Sequence, residues 1–324
     1  MRIGVFATGG TISMAGASPG LAVTPVHRVD DLVGAANVAE AVQIEQHDMF
    51  AKPSASMTLA DVQTLADRLS DAFTDGLDGA VVTHGTDTLE ETAFALSIML
   101  GRTRPVVITG AMRSADDIAS DGPANLSAAI QLAATPAAAG QRPLVLFGDE
   151  IHAAHLVRKV HSSRRHAFSS EPFGPIGQII EGQVRIELRT LLEIRQLRLG
   201  TRNPVVPILQ VGLDLEPETL DAFRSPAIDG LVVAGAGGGH ISARAVDVFE
   251  QLARTIPVIL TSRVGMGETL RTSYGYRGSE LDLVCRGAVN GGRWRPSQAR
   301  ILLQLLLSSG EWQASLGEDA LAAN

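Results

Sequence analysis

Several residue types are scarce in this chain, and each scarcity excludes something. Its 324 residues include one cysteine, Cys285, so no intrachain disulfide can form and no cysteine-based zinc site is available. Cys285 has no adjacent histidine either, which leaves little for a cysteine hydrolase to work with. Lysine occurs only as Lys52 and Lys159, so lysine chemistry has two candidate positions. Tyrosine occurs only as Tyr274 and Tyr276, and aromatic residues make up 4% of the chain. Excess positive charge is missing as well. The formal charge is -8, which argues against a nucleic-acid surface, since that requires a clustered basic face. No apolar run approaches the ~20 residues that cross a bilayer, so no membrane partner is expected. No basic-then-apolar leader with a small-residue cleavage site opens the numbering, and the expected location is the cytoplasm.

The chain does have a 45% hydrophobic composition, enough for a large core and two domains. Short β-like apolar runs alternate with longer helical ones, which predicts βα units on a mainly parallel sheet. Expected strands are Ile3–Ala7, Val42–Gln46, Gly79–Thr83, Pro105–Thr109 and Pro143–Phe147, with helices at Leu59–Phe73, Leu89–Leu100 and Ala124–Ala134. Thr88 and Glu91 have the spacing of a capping box for the second helix. Gly177–Leu188 reads as a hairpin turning at Glu181-Gly182. An Arg-rich stretch, 188–203, reads as a linker ending before Pro204. A second alternating block follows: strands Val205–Val211, Gly230–Ala234 and Pro257–Thr261, and helices Glu216–Phe223, Ala243–Ala253 and Pro296–Leu307. The expected fold is α/β throughout, a larger N-terminal mainly parallel-sheet domain (1–187) and a smaller C-terminal α/β domain (204–324).

Three strand-to-helix loops carry the polar residues. In "FATGGTIS" the apolar strand stops at Thr8-Gly9-Gly10 and presents Thr11. The glycines complete neither G-x-G-x-x-G nor G-K-[ST], so phosphate binding is disfavoured and a tight turn or an exposed hydroxyl remains. In "VVTHGTDTLEET" Thr86 and Asp87 sit between a strand end and a helix start, where capping is the plain alternative to chemistry. In "VITGAMRSADDIASDGPANL" Ala111 can offer only backbone, and Asp121-Gly122-Pro123 reads as a helix start. Loops leaving one edge of a doubly wound sheet would bring Thr11 and Thr86 to one crevice. Lys159 stands among His152, His155, His161 and His166, whose spacing lacks H-E-x-x-H, so no metal site is expected. A threonine hydroxyl needs a neighbouring base or charge to become a nucleophile, and Lys159 could act as either.

Together ATGGTI (7–12), THGTDTLEET (83–92), GAMR (110–113) and SDGPANL (120–126) resemble the bacterial-type L-asparaginase family of asparaginase/glutaminase amidohydrolases. Order and spacing agree along nearly the whole chain, more loosely in the C-terminal third. The resemblance implies cleavage of the side-chain amide of asparagine, with glutamine or non-catalytic amino-acid binding as alternatives, and no metal or organic cofactor. It implies Thr11 as nucleophile, with Thr86, Asp87 and Lys159 as its catalytic partners. It also implies substrate binding by Ser54, Thr86 and Asp87, with Ala111 beside the amide. It implies self-association as a dimer or tetramer, each site completed by a neighbouring subunit. Two departures stand out: no tyrosine follows the first motif, and Ala55 replaces the glutamine that often follows the binding serine. Counting forward from Ser262-Arg263-Val264, Tyr274 falls where the family's neighbouring subunit supplies a glutamate. Tyr274, and less directly Glu280 toward the substrate's α-ammonium, are therefore the expected intersubunit residues.

Overall fold

The computed structural model describes residues 1–10, 12, 14–16, 23–25 and 41–312. The chain divides into two compact units, Met1–Leu191 and the remainder from Leu192, the division falling inside the Arg-rich 188–203 stretch.

In the first unit the strands are β1 (Arg2–Ala7), β2 (Met14–Gly16), β3 (Val23–Pro25), β4 (Gln43–Asp48), β5 (Gly79–Thr83) and β6 (Val106–Thr109). They continue with β7 (Leu144–Phe147), β8 (Glu150–Ala153), β9 (Arg158–Lys159), β10 (Phe168–Ser169), β11 (Gly177–Ile180) and β12 (Gln183–Ile186). The helices are α1 (Leu59–Thr74), α2 (Leu89–Leu100) and α3 (Gly122–Ala133). Eight strands make one sheet in the order β12-β11-β8-β7-β6-β5-β1-β4. Neighbours are parallel from β7 through β4, and β8, β11 and β12 extend the sheet antiparallel.

Burial explains these elements. Every residue of β5, Gly-Ala-Val-Val-Thr, is buried, as expected of a parallel strand covered on both faces. Val81 and Val82 are 0% exposed, each worth roughly 1.5–3 kcal/mol of apolar burial. Helix α1 buries Val62, Leu65, Ala66, Leu69, Ala72 and Phe73, a single stripe at helical spacing. Helix α2 is apolar nearly all round and lies inside the unit. The hairpin turns where expected: Glu181 and Gly182 have φ of 49° and 70° between paired Ile180 and Gln183, the left-handed pair of a type I′ turn.

One local expectation fails. Thr88 does stand at the N-cap of α2, but its side chain makes no capping bond. Its hydroxyl instead donates to the Ser54 carbonyl at 2.8 Å, a tie 34 residues back along the chain. The capping box forms at Thr58 and Asp61, at the start of α1.

In the second unit four parallel strands, β13 (Ile208–Gln210), β14 (Leu231–Gly235), β15 (Val258–Ser262) and β16 (Val289–Asn290), lie in chain order. Helices α4 (Pro217–Asp221), α5 (Val246–Ala253), α6 (Glu280–Cys285) and α7 (Pro296–Ser308) accompany them. Leu231, Val233, Phe249, Leu252, Leu260 and Leu283 build its core. The first strand begins later than expected, just after Pro207, which has no N–H to pair.

Candidate active site at the carboxyl edge of the first sheet

Strand register brings the polar loops together. Ala7 is level with Asp48 and Thr83, and Thr83 with Thr109, so the loops after β4, β1, β5 and β6 leave one edge side by side. Across the five parallel strands the chain order is second, first, third, fourth, fifth. The winding therefore reverses between β1 and β5, where such sheets open a ligand crevice.

The two glycines of the first loop are there for close approach. Thr8 ties the loop down, its N–H and Oγ1 donating to Thr83 O at 3.1 and 2.8 Å. Gly9 and Gly10 have φ of 97° and 88°, a region that side-chain-bearing residues rarely enter. A Cβ on Gly10 would lie 2.3 Å from the backbone of Gly85, and one on Gly9 would lie 2.6 Å from Lys52 O. The first and second loops thus meet backbone to backbone. Thr11 lies outside the described residues. Its neighbour Ile12 is buried beside Gly122, a Cβ on which would lie 3.1 Å from the Ile12 side chain and 3.5 Å from Ala111.

Around this contact stand the residues singled out in the sequence. Ser54 is 4% exposed, and its Oγ accepts from Asp87 N at 3.2 Å. Thr86 is buried, and its Oγ1 accepts from Lys159 Nζ at 2.9 Å. The same Nζ donates to Asp87 Oδ1 at 2.8 Å, and the Asp87 side chain is 68% exposed. Lys159 is held from two sides: β9 pairs with β10 through Phe168, and its own N–H donates to Glu90 Oε2 in the first turn of α2. One ammonium therefore bridges a buried hydroxyl and an exposed carboxylate. Since the Thr86 oxygen accepts from Lys159, its own proton remains available to another acceptor.

Residues that the sequence did not mark as site residues support this group. His84, buried, lies with Nδ1 2.7 Å from Gly85 O and Nε2 3.0 Å from Thr92 Oγ1. A carbonyl can only accept, so Nδ1 carries the proton and Nε2 accepts from Thr92. Burial lowers the His84 pKa to about 4, so the ring is neutral. Asn125 spans two loops, donating to Gly110 O at 2.9 Å and accepting from Gly148 N at 3.2 Å. Asp121 accepts from Met112 N and Arg113 N, which fixes the loop carrying the fully buried Ala111. Glu90 and His84 had a sequence signal only as part of THGTDTLEET. The partner of Glu90, Lys159 N, comes from another element and cannot be read locally, whereas His84 meets Gly85 and Thr92 of its own motif.

The two intersubunit candidates lie in the second unit. Glu280, expected to face a substrate's ammonium, is 0% exposed. Its Oε1 accepts from Ser273 N and Tyr274 N at 3.0 and 2.8 Å, and Oε2 lies 3.0 Å from His240 Nε2. Burial opposes the charged form, but these donors outweigh it and lower the pKa. The carboxylate is committed to holding its own loop. Tyr274 is 45% exposed, and the Tyr276 hydroxyl lies 2.8 Å from His240 Nδ1.

Among the described residues no group of three or more His, Cys, Asp or Glu could hold a metal ion, and no helix is long and apolar enough to cross a membrane.

Comparison with known proteins gives consistent matches. Residues 2–191 match the family model described as "Asparaginase, N-terminal", and residues 205–318 match "Glutaminase/Asparaginase C-terminal domain". A probable L-asparaginase of Deinococcus radiodurans is 37% identical, covering 95% of this chain and 94% of the relative. An L-asparaginase of Bacillus licheniformis is 32% identical, covering 95% and 96%. The crystal structure of a probable cytoplasmic L-asparaginase from Campylobacter jejuni is similar with a TM-score of 0.90 at 30% identity, over 100% of this chain and 99% of that one.

Proposed function

The chain belongs to the asparaginase family, and on that footing we propose that it hydrolyses the side-chain amide of L-asparagine to L-aspartate and ammonia through a threonine nucleophile. The observation that carries the reading is the single ammonium of Lys159 on both Thr86 Oγ1 and Asp87 Oδ1, beside the Gly10–Gly85 contact that precedes Thr11. Thr11 Oγ attacks the amide carbon, and its proton is relayed through the Thr86 hydroxyl, polarised by the Lys159 ammonium, to the amide nitrogen. Ammonia leaves with that proton, and water then cleaves the aspartyl-threonine ester, its hydroxyl going to the acyl carbon and its remaining proton to Thr11 Oγ. Backbone N–H groups of the second loop steady the oxyanion of each tetrahedral step. Ser54, whose oxygen already accepts from Asp87 N, has its own O–H to donate to the α-carboxylate. The exposed carboxylate of Asp87 suits the α-ammonium, and the Ala111 backbone lies beside the leaving amide.

No cofactor enters this chemistry. The enzyme acts in the cytoplasm as a dimer or tetramer, and Tyr274, exposed at 45%, is the residue it offers to a neighbouring subunit. Glutamine is the second substrate to test, because the C-terminal family model also covers glutaminases. One extra methylene is worth only about 1–3 kcal/mol in a pocket. The test is ammonia release from L-asparagine, L-glutamine and their D-forms by the wild type and by Thr11→Ala. Release from L-asparagine that Thr11→Ala abolishes, with the fold intact, is the expected result. Turnover by Thr11→Ala within tenfold of wild type would remove Thr11 as nucleophile. No release from any of the four would make the chain a binding protein.

A further inference from the structure

The second lysine of the chain stands at the same sheet edge as Lys159. Lys52 Nζ lies 2.8 and 2.9 Å from the two oxygens of Asp61, and 5.4 Å from the centre of the Phe50 ring. Asp61 is itself the acidic member of the α1 capping box, accepting from Thr58 N at 2.9 Å and Thr58 Oγ1 at 2.7 Å. The side chain of Lys52 is thus fastened to the start of a 16-residue helix.

The main chain around Lys52 lies across the site. Met49 N and Phe50 N donate to Ala7 O at 2.9 and 3.2 Å, so the segment begins at the carboxyl end of β1. Lys52 O and N form the wall against which Gly9 rests, at 2.6 and 2.8 Å from where a Cβ would be. Two residues on, Ser54 reaches the second loop through Asp87 N and Thr88 Oγ1. Residues 49–54 therefore form a strap running from the first loop to the second, with Lys52 at its middle.

We propose that Lys52 is a positioning residue of the substrate site, its ion pair with Asp61 fastening this strap to α1 and so fixing where Ser54 presents its hydroxyl. The inference rests on the reading of Ser54 as the group that binds the α-carboxylate. Its effect falls on substrate binding. The first loop has its own ties, from Thr8 to Thr83 and from Gly10 to Gly85, which do not involve the Lys52 side chain. Charge matters more than shape here. Arginine can also face both oxygens of one carboxylate, whereas methionine keeps the stem and loses the pair.

The experiment measures KM and kcat for L-asparagine in Lys52→Met, Lys52→Arg, Asp61→Asn, the Lys52→Met/Asp61→Asn double variant and Ser54→Ala. Lys52→Met and Asp61→Asn should each raise KM roughly two- to fivefold, the scale of a partly exposed ion pair, with kcat unchanged. The double variant should be no worse than the weaker single one, and Lys52→Arg should restore KM. These effects together support the strap. An unchanged KM in Lys52→Met, or additive effects in the double variant, overturns it. Ser54→Ala separates the two levels. A raised KM there with Lys52→Met unaffected removes only the positioning role. An unchanged KM in Ser54→Ala removes the reading of the site on which it rests.

Discussion

Protonation of His84 should unfasten the second loop, and the cost can be worked from its surroundings. The ring is 0% exposed, its Nδ1–H is spent on Gly85 O, and its Nε2 is an acceptor for Thr92. Its pKa is lowered to about 4 by burial, against about 6.5 in the unfolded chain. The unfolded state therefore binds more protons between these values. The His84 contribution is complete above pH 6.5 and is lost as pH falls toward 4. Integrating the linkage gives a loss of about 2 kcal/mol at pH 5 and about 3 kcal/mol at pH 4. His152 adds a similar amount, since burial lowers its pKa to about 4 even with the Glu150 carboxylate 3.5 Å away. The assay is the thermal midpoint from pH 5 to 7.5, at fixed protein concentration and ionic strength, for wild type and His84→Asn. Asparagine keeps a donor toward Gly85 O but does not titrate. The variant starts lower at pH 7.5 and should lose less on acidification. The difference between the two drops should be about 4–8 °C, at the 2–4 °C per kcal/mol expected for a unit of this size. Parallel curves would mean that His84 binds its proton equally well folded and unfolded, and the argument would fail.

Replacing Lys159 by methionine should lower kcat by about 10²–10⁴, the range for losing a proton-transfer group, and arginine should not rescue it. A fully active Lys159→Arg would show that only positive charge matters at that position. Gly10→Ala should give a misfolded or inactive chain, because its Cβ would lie 2.3 Å from backbone atoms of Gly85, which have no flexible end to move. Wild-type melting and turnover in that variant would refute the close approach. Tyr274→Phe, if the phenol serves a neighbouring subunit's site, should be inactive alone but should regain activity when its subunits exchange with Thr11→Ala. A Tyr274→Phe variant as active as wild type would leave the phenol without a role.

The parts of the fold legible in the sequence are those fixed by local pattern. Gly79–Thr83 and Leu89–Leu100 have the expected bounds, because a fully buried strand and a nearly all-apolar helix leave no competing register. The type I′ turn at Glu181-Gly182 was legible because few residues tolerate positive φ there. What was not legible depends on partners distant in sequence. Thr88 has the spacing of a capping residue, yet Ser54 O claims its hydroxyl. Glu280 carries the charge of an ammonium ligand, yet His240, 40 residues back along the chain, reaches one of its oxygens, and the preceding turn folds two N–H groups onto the other. The short strand that carries Lys159 has two residues, too few for periodicity to reveal, and its register is set by Phe168 and Glu90.

The scarcity of lysine has a physical reading at this site. Every other residue of the Lys and Arg class in the chain is arginine, and arginines make surface pairs such as Arg2 with Glu45 and Arg286 with Glu250 and Asp282. A guanidinium presents its donors in one plane, which suits two oxygens of one carboxylate. Lys159 does something different: its ammonium serves a buried neutral hydroxyl together with an exposed carboxylate, while its own main chain is tied to Glu90. A compact point charge with three rotatable donors meets that demand, and a rigid fork on a longer stem does not. Lys52 faces one carboxylate and lies 40% exposed, where a fork would fit. The same substitution, lysine to arginine, is therefore expected to be tolerated at position 52 and costly at position 159. The contrast tests whether donor geometry, and not charge alone, sets the chemistry at this edge of the sheet.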